Sequence, residues 1–198
     1  MALDIAEIKR LRELTGVGMT DAKNALKAAE GDFDKALSEM RKKGLTKAEK
    51  KGEREAREGL VESYVHSGRI GVLVEVNCET DFVTRTDAFK ALAHDVAMHI
   101  AAAAPEYVSI DEIPAAEREK VQAEFTEKVK GEGKPEAMVP QIVEGMLKKH
   151  FAEKCLLDQP FIKNPDQAVG EYLKEHTAKL GENIVVRRFS RMVLGEVS

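Results

Sequence analysis

The stretch Ile70-Gly-Val-Leu-Val-Glu-Val-Asn-Cys-Glu-Thr-Asp-Phe-Val83 decides the fold. Ile70, Val72, Val74, Val76 and Cys78 alternate with Gly71, Leu73, Glu75 and Asn77, and β-branched residues dominate. A side-chain period of two makes this a strand with the first set on one face. The alternation stops at Asn77, Glu79, Thr80 and Asp81, and Phe82 follows directly. From Thr86 the spacing turns helical, with Phe89, Leu92, Ala93, Val96 and Ile100 at i, i+3, i+4. Thr80-Asp81-Phe82 therefore sits at a strand-to-helix corner, where a short segment can protrude from a rigid base. The residues leave two readings open. Phe82 is a core residue and Asp81 a cap for the next helix, or Phe82 is presented outward as a contact.

Working outward, Gly59–His66 reads as a second strand, joined to Ile70 by the hairpin signal Ser67-Gly68-Arg69. The helix after the corner runs to about Ala104, where Pro105 ends it. A helix start at Ser109-Ile110-Asp111-Glu112 and the stripe Val121, Phe125, Val129 precede the break Gly131–Pro135. Val139, Ile142, Val143, Met146 and Leu147 form the next stripe. Together they predict a helical hairpin over roughly 111–130 and 137–153 with a Gly/Pro tip. Gln159–Ile162 reads as extended. Val169, Tyr172, Leu173, His176 and Leu180 give a further helix, stopped by Gly181. A third strand runs from Ile184 through Phe189 toward Met192, with Arg187 and Arg188 on opposite faces and one of them an ion-pair partner beside the sheet.

Toward the N-terminus, residues 1–45 carry three short apolar stripes: Ile5, Ile8, Leu11; Ala22, Ala25, Leu26, Ala29; and Phe33, Ala36, Leu37, Met40. Gly16 and Gly18 break the first two apart, Thr20 or Asp21 caps the second, and Gly44 is a C′ stop for the third. Met19, beside that glycine pair, either packs inside a tight turn or belongs to a contact surface. Residues 46–58 mix Lys, Glu, Arg and Ala without an apolar stripe and read as a solvated helical linker. The fold class expected is α+β: a three-helix head over 1–45, a charged linker over 46–58, and a core over 59–198 built on three antiparallel strands with flanking helices.

Composition restricts the function classes. The 198 residues are 33% charged but balanced at net −4, and aromatics are 5% with no Trp. A strongly basic nucleic-acid binder and a base-stacking platform are thus disfavoured. Apolar runs fall short of the roughly 20 residues that span a bilayer, and the N-terminus has no basic-then-apolar pattern, so a cytoplasmic location without a membrane anchor is expected. Cys78 and Cys155 lie far apart outside any CxxC and read as buried thiols of a reduced protein. His94 and His99 are not at the i, i+4 spacing of a helical zinc pair, so a metal site is rejected. The chain shows no nucleophile–base constellation, phosphate loop or dinucleotide fingerprint, and neither enzyme chemistry nor a cofactor is expected. An RNA- or ribosome-associated protein using the basic cluster Arg41–Lys51 is the alternative to a protein-binding role.

Three stretches carry a resemblance to a known family: Leu11–Leu26 (LRELTGVGMTDAKNAL), Val74–Val83 (VEVNCETDFV) and Leu180–Arg188 (LGENIVVRR). The chain resembles elongation factor Ts, the nucleotide-exchange factor for elongation factor Tu, over nearly its whole length, in the short form with one core copy. The resemblance implies a ubiquitin-associated-type head, a homodimer, and a partner met in its GDP-bound and nucleotide-free states. It implies that the corner Thr80, Asp81, Phe82, Val83 inserts between helices of the partner's GTPase domain and dislodges Mg²⁺. Phe82 would be the apolar wedge and Asp81 a polar contact. Val17, Gly18, Met19 and Lys23 of the head would touch the same GTPase domain.

Overall fold

The computed structural model describes residues 4–15, 18–40 and 54–196. Three strands form one antiparallel sheet in the order β1-β2-β5: β1 Glu58–His66, β2 Ile70–Cys78 and β5 Val185–Val193. The β1–β2 turn places Ser67 (φ 50) and Gly68 (φ 67) in the left-handed region, and Arg69 N donates to His66 O at 2.9 Å. Such a turn matches the twist of the strands it joins, which is why glycine is useful there.

The expected face of β2 is the core face. Val72, Val74, Val76 and Cys78 are buried against helix α5, Asp87–Ala103, through Phe89, Leu92, Ala93, Val96, Ala97 and Ile100. Thr86 caps α5 by accepting from Phe89 N at 3.2 Å. Ala104 closes it in the left-handed conformation (φ 48) just before Pro105. Helix α8, Val169–Leu180, closes the same core through Val169 and Leu173 and ends at Gly181 (φ 80). A β-bulge between Glu75 and Val76 pairs Glu75 with Arg188 and Val76 with Val186. Arg187 is the extra residue, so Arg187 and Arg188 are both exposed rather than on opposite faces. Arg188 Nε donates to Glu75 at 2.8 Å and holds that carboxyl below its usual range.

The helical hairpin is α6, Ala115–Gly131, and α7, Val139–Lys154, sealed by Val129, Val139, Val143 and Phe125. Its start differs from the sequence expectation. Residues Ile110–Glu112 form a single 3₁₀ turn, and Pro114 occupies the N-cap of α6. A proline disfavours helical backbone at the residue before it, here Ile113, and so separates the two. A short strand pair, β3 Pro160–Phe161 and β4 Asn164–Ala168, follows α7. In the head, α1 Ile5–Thr15, α2 Met19–Ala28 and the helical residues 33–40 (α3) enclose Ile8, Leu11, Ala25, Leu26, Ala36 and Met40. Gly18, not Thr20 or Asp21, is the N-cap of α2. The Gly44 stop and most of the linker lie outside the described residues. Its described end, 54–57, is not helical, and Glu58 already belongs to β1.

Candidate functional site

The corner is a single helical turn, α4, Asp81–Thr84, set between β2 and α5. Its four residues of interest divide into two pairs. Phe82 is 75% exposed. Asp81 is part-exposed and forms an ion pair with Arg85 one turn on. Val83 instead packs half-buried against the main core. Thr80 is half-buried, and its hydroxyl donates to Glu182 Oε1 at 2.6 Å. The reading of Phe82 as a core residue is therefore overturned, and Asp81 is a residue of the short turn rather than the cap of α5. Thr84 Oγ donates to Asp81 O and Thr86 Oγ to Val83 O, tightening the turn from its C-terminal side.

The base of the corner is heavily bonded. Glu79 N and Thr80 N both donate to Glu182 Oε2, at 3.1 and 3.0 Å. Asn183 N donates to Glu79 Oε1 at 2.7 Å, and Arg54 lies 3.5 Å from the other Glu79 oxygen. Asn183 Nδ2 donates to Arg54 O at 2.7 Å, so the stretch entering β1 is fastened to the same point. Cys78 Sγ donates to Thr80 O at 3.2 Å. Burial, with the Glu182 carboxylate second, pushes the Cys78 thiol up to about 11, so it stays a protonated donor. The sum is a rigid platform carrying one outward aromatic ring and one carboxylate. It offers shape and an apolar contact, with no nucleophile–base pair among the groups at the corner.

Sequence reasoning missed Glu182 and Asn183 as supports of the corner, though both fall within a stretch singled out for its resemblance. Their contacts span more than a hundred residues, and nothing local marks them. It also left unassigned the outer face of the sheet. Val61 and Val65 are each 66% exposed, Leu73 53% and Met192 75%. The register sets Val65 and Met192 on either side of Gly71, and Leu73 in the neighbouring row, so they share one face.

In the head, Met19 is 41% exposed, and Gly18 and Lys23 are exposed as well. Met19 and Lys23 line an open groove of about 900 Å³ with Ile5, Ile8, Lys27 and Glu30. The reading of Met19 as a packed turn residue gives way to that of a surface one. Val17 and the whole basic cluster Arg41–Lys51 lie outside the described residues, and so do residues 46–53 of the linker expected to be helical. Among the described residues no helix is long and apolar enough to cross a membrane.

A family model described as elongation factor TS matches residues 45–196. Among curated relatives, an elongation factor Ts of Heliobacterium modesticaldum is 56% identical over 192 residues, covering 96% of this chain and 89% of that one. An elongation factor Ts of Carboxydothermus hydrogenoformans is 55% identical over 190 residues, covering 96% of this chain and 88% of its own. An elongation factor Ts of Thermodesulfovibrio yellowstonii is 48% identical over 196 residues, covering 99% and 98%. With a model match over most of its length and relatives of this identity along nearly all of it, the chain belongs to the elongation factor Ts family.

Proposed function

We propose that the chain is a guanine-nucleotide exchange factor for elongation factor Tu, acting without covalent chemistry. It binds the GDP complex, enters the GTPase domain with Phe82, disturbs the Mg²⁺ site, and holds the empty state until GTP binds. The observation that carries this reading is Phe82, 75% exposed on a turn whose base is fixed by Glu182. An exposed aromatic on a rigid support loses little freedom on docking and suits the role of an interface hot spot. Bound Mg²⁺ neutralises nucleotide phosphate charge, so weakening the metal site weakens GDP retention. Linkage fixes the thermodynamics: a factor that prefers the empty GTPase must lower its nucleotide affinity by the same ratio. The head contributes a second contact through Gly18, Met19 and Lys23, with Val17 beside them in sequence. On this reading the head is a separate binding unit joined by the 46–58 linker to the core.

The working particle is a homodimer on the same proposal, joined through the outer sheet face. Two sheets pack face to face about 10 Å apart when each offers an apolar row, and Val61, Val65, Leu73 and Met192 form such a surface. Leu73→Lys should shift the particle from about twice 21.9 kDa to 21.9 kDa in light scattering. A wild-type mass of 21.9 kDa at all concentrations would remove the dimer from the account.

The test of function is release of fluorescent GDP from elongation factor Tu with Mg²⁺ present. Catalytic amounts of the chain should accelerate release, and excess GDP should drive the binary protein complex apart. No acceleration at any concentration contradicts the proposal.

A further inference from the structure

The turn that carries Phe82 cannot hold its own position. Asp81–Thr84 is one turn long, and a turn of that length is not stable by itself. Its N-cap, Thr80, makes no side-chain capping bond to it. The Thr80 hydroxyl is turned the other way, to Glu182 Oε1 at 2.6 Å, while the amides of Glu79 and Thr80 converge on Glu182 Oε2 at 3.1 and 3.0 Å. Glu182 follows Gly181, whose φ of 80 ends α8 and swings the chain toward the end of β2. Asn183 N returns a bond to Glu79 Oε1 at 2.7 Å. Two chain segments distant in sequence thus grip each other at the base of the corner.

We propose that Glu182 is a positioning residue for nucleotide exchange: its carboxylate locks the Glu79–Thr80 backbone and so sets the direction in which Asp81 and Phe82 leave the sheet. The proposal rests on the exchange reading of Phe82 given above. All three donors at Glu182 need an acceptor, and an ionised carboxylate is acceptor-only with both oxygens available. Bonds from backbone N–H groups to a charged oxygen are shorter and stronger than neutral ones. Held this way, the tip meets its partner already ordered, and the cost of ordering is not subtracted from binding. Glu182 touches neither nucleotide nor partner in this scheme and acts only through the corner.

The experiment is a mutant cycle on the full-length chain, read by catalysed GDP release. Glu182→Ala should lower kcat/KM about tenfold, the scale expected when a preorganised contact becomes loose. Glu182→Gln should recover most of it, because its carbonyl accepts from the two amides and its amide donates to Thr80 Oγ. In the Phe82→Ala background, Glu182→Ala should cost far less than in the wild type, since the ring is gone and only Asp81 is left to position. Backbone hydrogen exchange at Thr80 should speed up in Glu182→Ala and stay slow in Phe82→Ala. If Glu182→Ala melts below the assay temperature, Glu182→Asp carries the same cycle, its carboxylate one methylene short of the amides. Fully multiplicative losses from Glu182→Ala and Phe82→Ala, or wild-type release by Glu182→Ala, overturn the positioning role. Wild-type release by Phe82→Ala alone overturns the exchange reading of the tip instead, so the two failures are distinct.

Discussion

Two phenylalanines seven positions apart are treated in opposite ways. Phe89, in the first turn of α5, is 0% exposed and lies in the centre of the core under β2. Phe82, on the turn before it, is 75% exposed. Burying a ring of this size contributes roughly 1.5–3 kcal/mol to folding, and the fold forgoes most of that at Phe82. Val83, the next residue, packs half-buried against the core and shows that an inward position was within reach of the same turn. The corner is therefore divided: Thr80 and Val83 anchor it, Asp81 pairs only with Arg85 at the surface, and the Phe82 ring is held out of the core.

The largest effect that could sharpen this contrast is on stability at the inner ring. Phe89→Ala should cost about 3–5 kcal/mol and lower the melting temperature by roughly 10 °C. The protein that remains folded should still exchange GDP, because the corner bonds to Glu182 do not involve Phe89. Loss of exchange per folded molecule would mean that tip and core are not independent.

A smaller effect is expected from removing the head. A chain beginning at Glu53 should fold and keep its melting transition, since the main core draws on residues from Leu60 onward. Its exchange activity should fall by about tenfold, the scale for losing one of two contact surfaces. Full activity without the head would leave the Met19–Lys23 groove without a part in exchange.

The strand and the helix on either side of the corner were legible in the sequence because period two and period 3.6 are both local. Ile70–Cys78 and the α5 stripe emerge directly from them. The direction of Phe82 was not legible from the residues, since it depends on Glu182, which is a neighbour only after folding. The resemblance pointed outward where periodicity was silent. The bulge at Glu75/Val76 escaped for a related reason: one extra residue, Arg187, is invisible to an alternation rule that assumes none. β3 falls within Gln159–Ile162, which reads as extended, but its partner β4 escaped because five mostly polar residues offer too little alternation to read.

The smallest predicted effect comes from acid, and it falls on the core side of the comparison. His99 is fully buried, with Nε2 2.9 Å from Gln159 Oε1 and Nδ1 accepting from Ile162 N at 3.3 Å. Both ring nitrogens are thus used by the neutral form, and burial pushes the pKa below the ordinary 6.5. Burial lowers His176 as well, its Nδ1 facing Tyr172 O at 3.0 Å. The sign follows from proton counting. Below pH 6.5 the unfolded chain binds protons that the folded one refuses, so stability is intact above that pH and declines as the pH falls toward the folded-state values. Melting temperatures should drop by a few degrees between about pH 7 and pH 5. His99→Gln should flatten the curve, and an unchanged slope would show that the titration lies elsewhere.

The central claim is that Phe82 is kept out of the core in order to act on a partner. The most direct measurement pairs thermal melting of Phe82→Ala with its stopped-flow release of fluorescent GDP from elongation factor Tu in the presence of Mg²⁺. The account predicts a melting temperature close to wild type and a loss of roughly thirtyfold in catalysed release, equivalent to about 2 kcal/mol of interaction. A variant that melts early while its folded fraction releases GDP at the wild-type rate would contradict it.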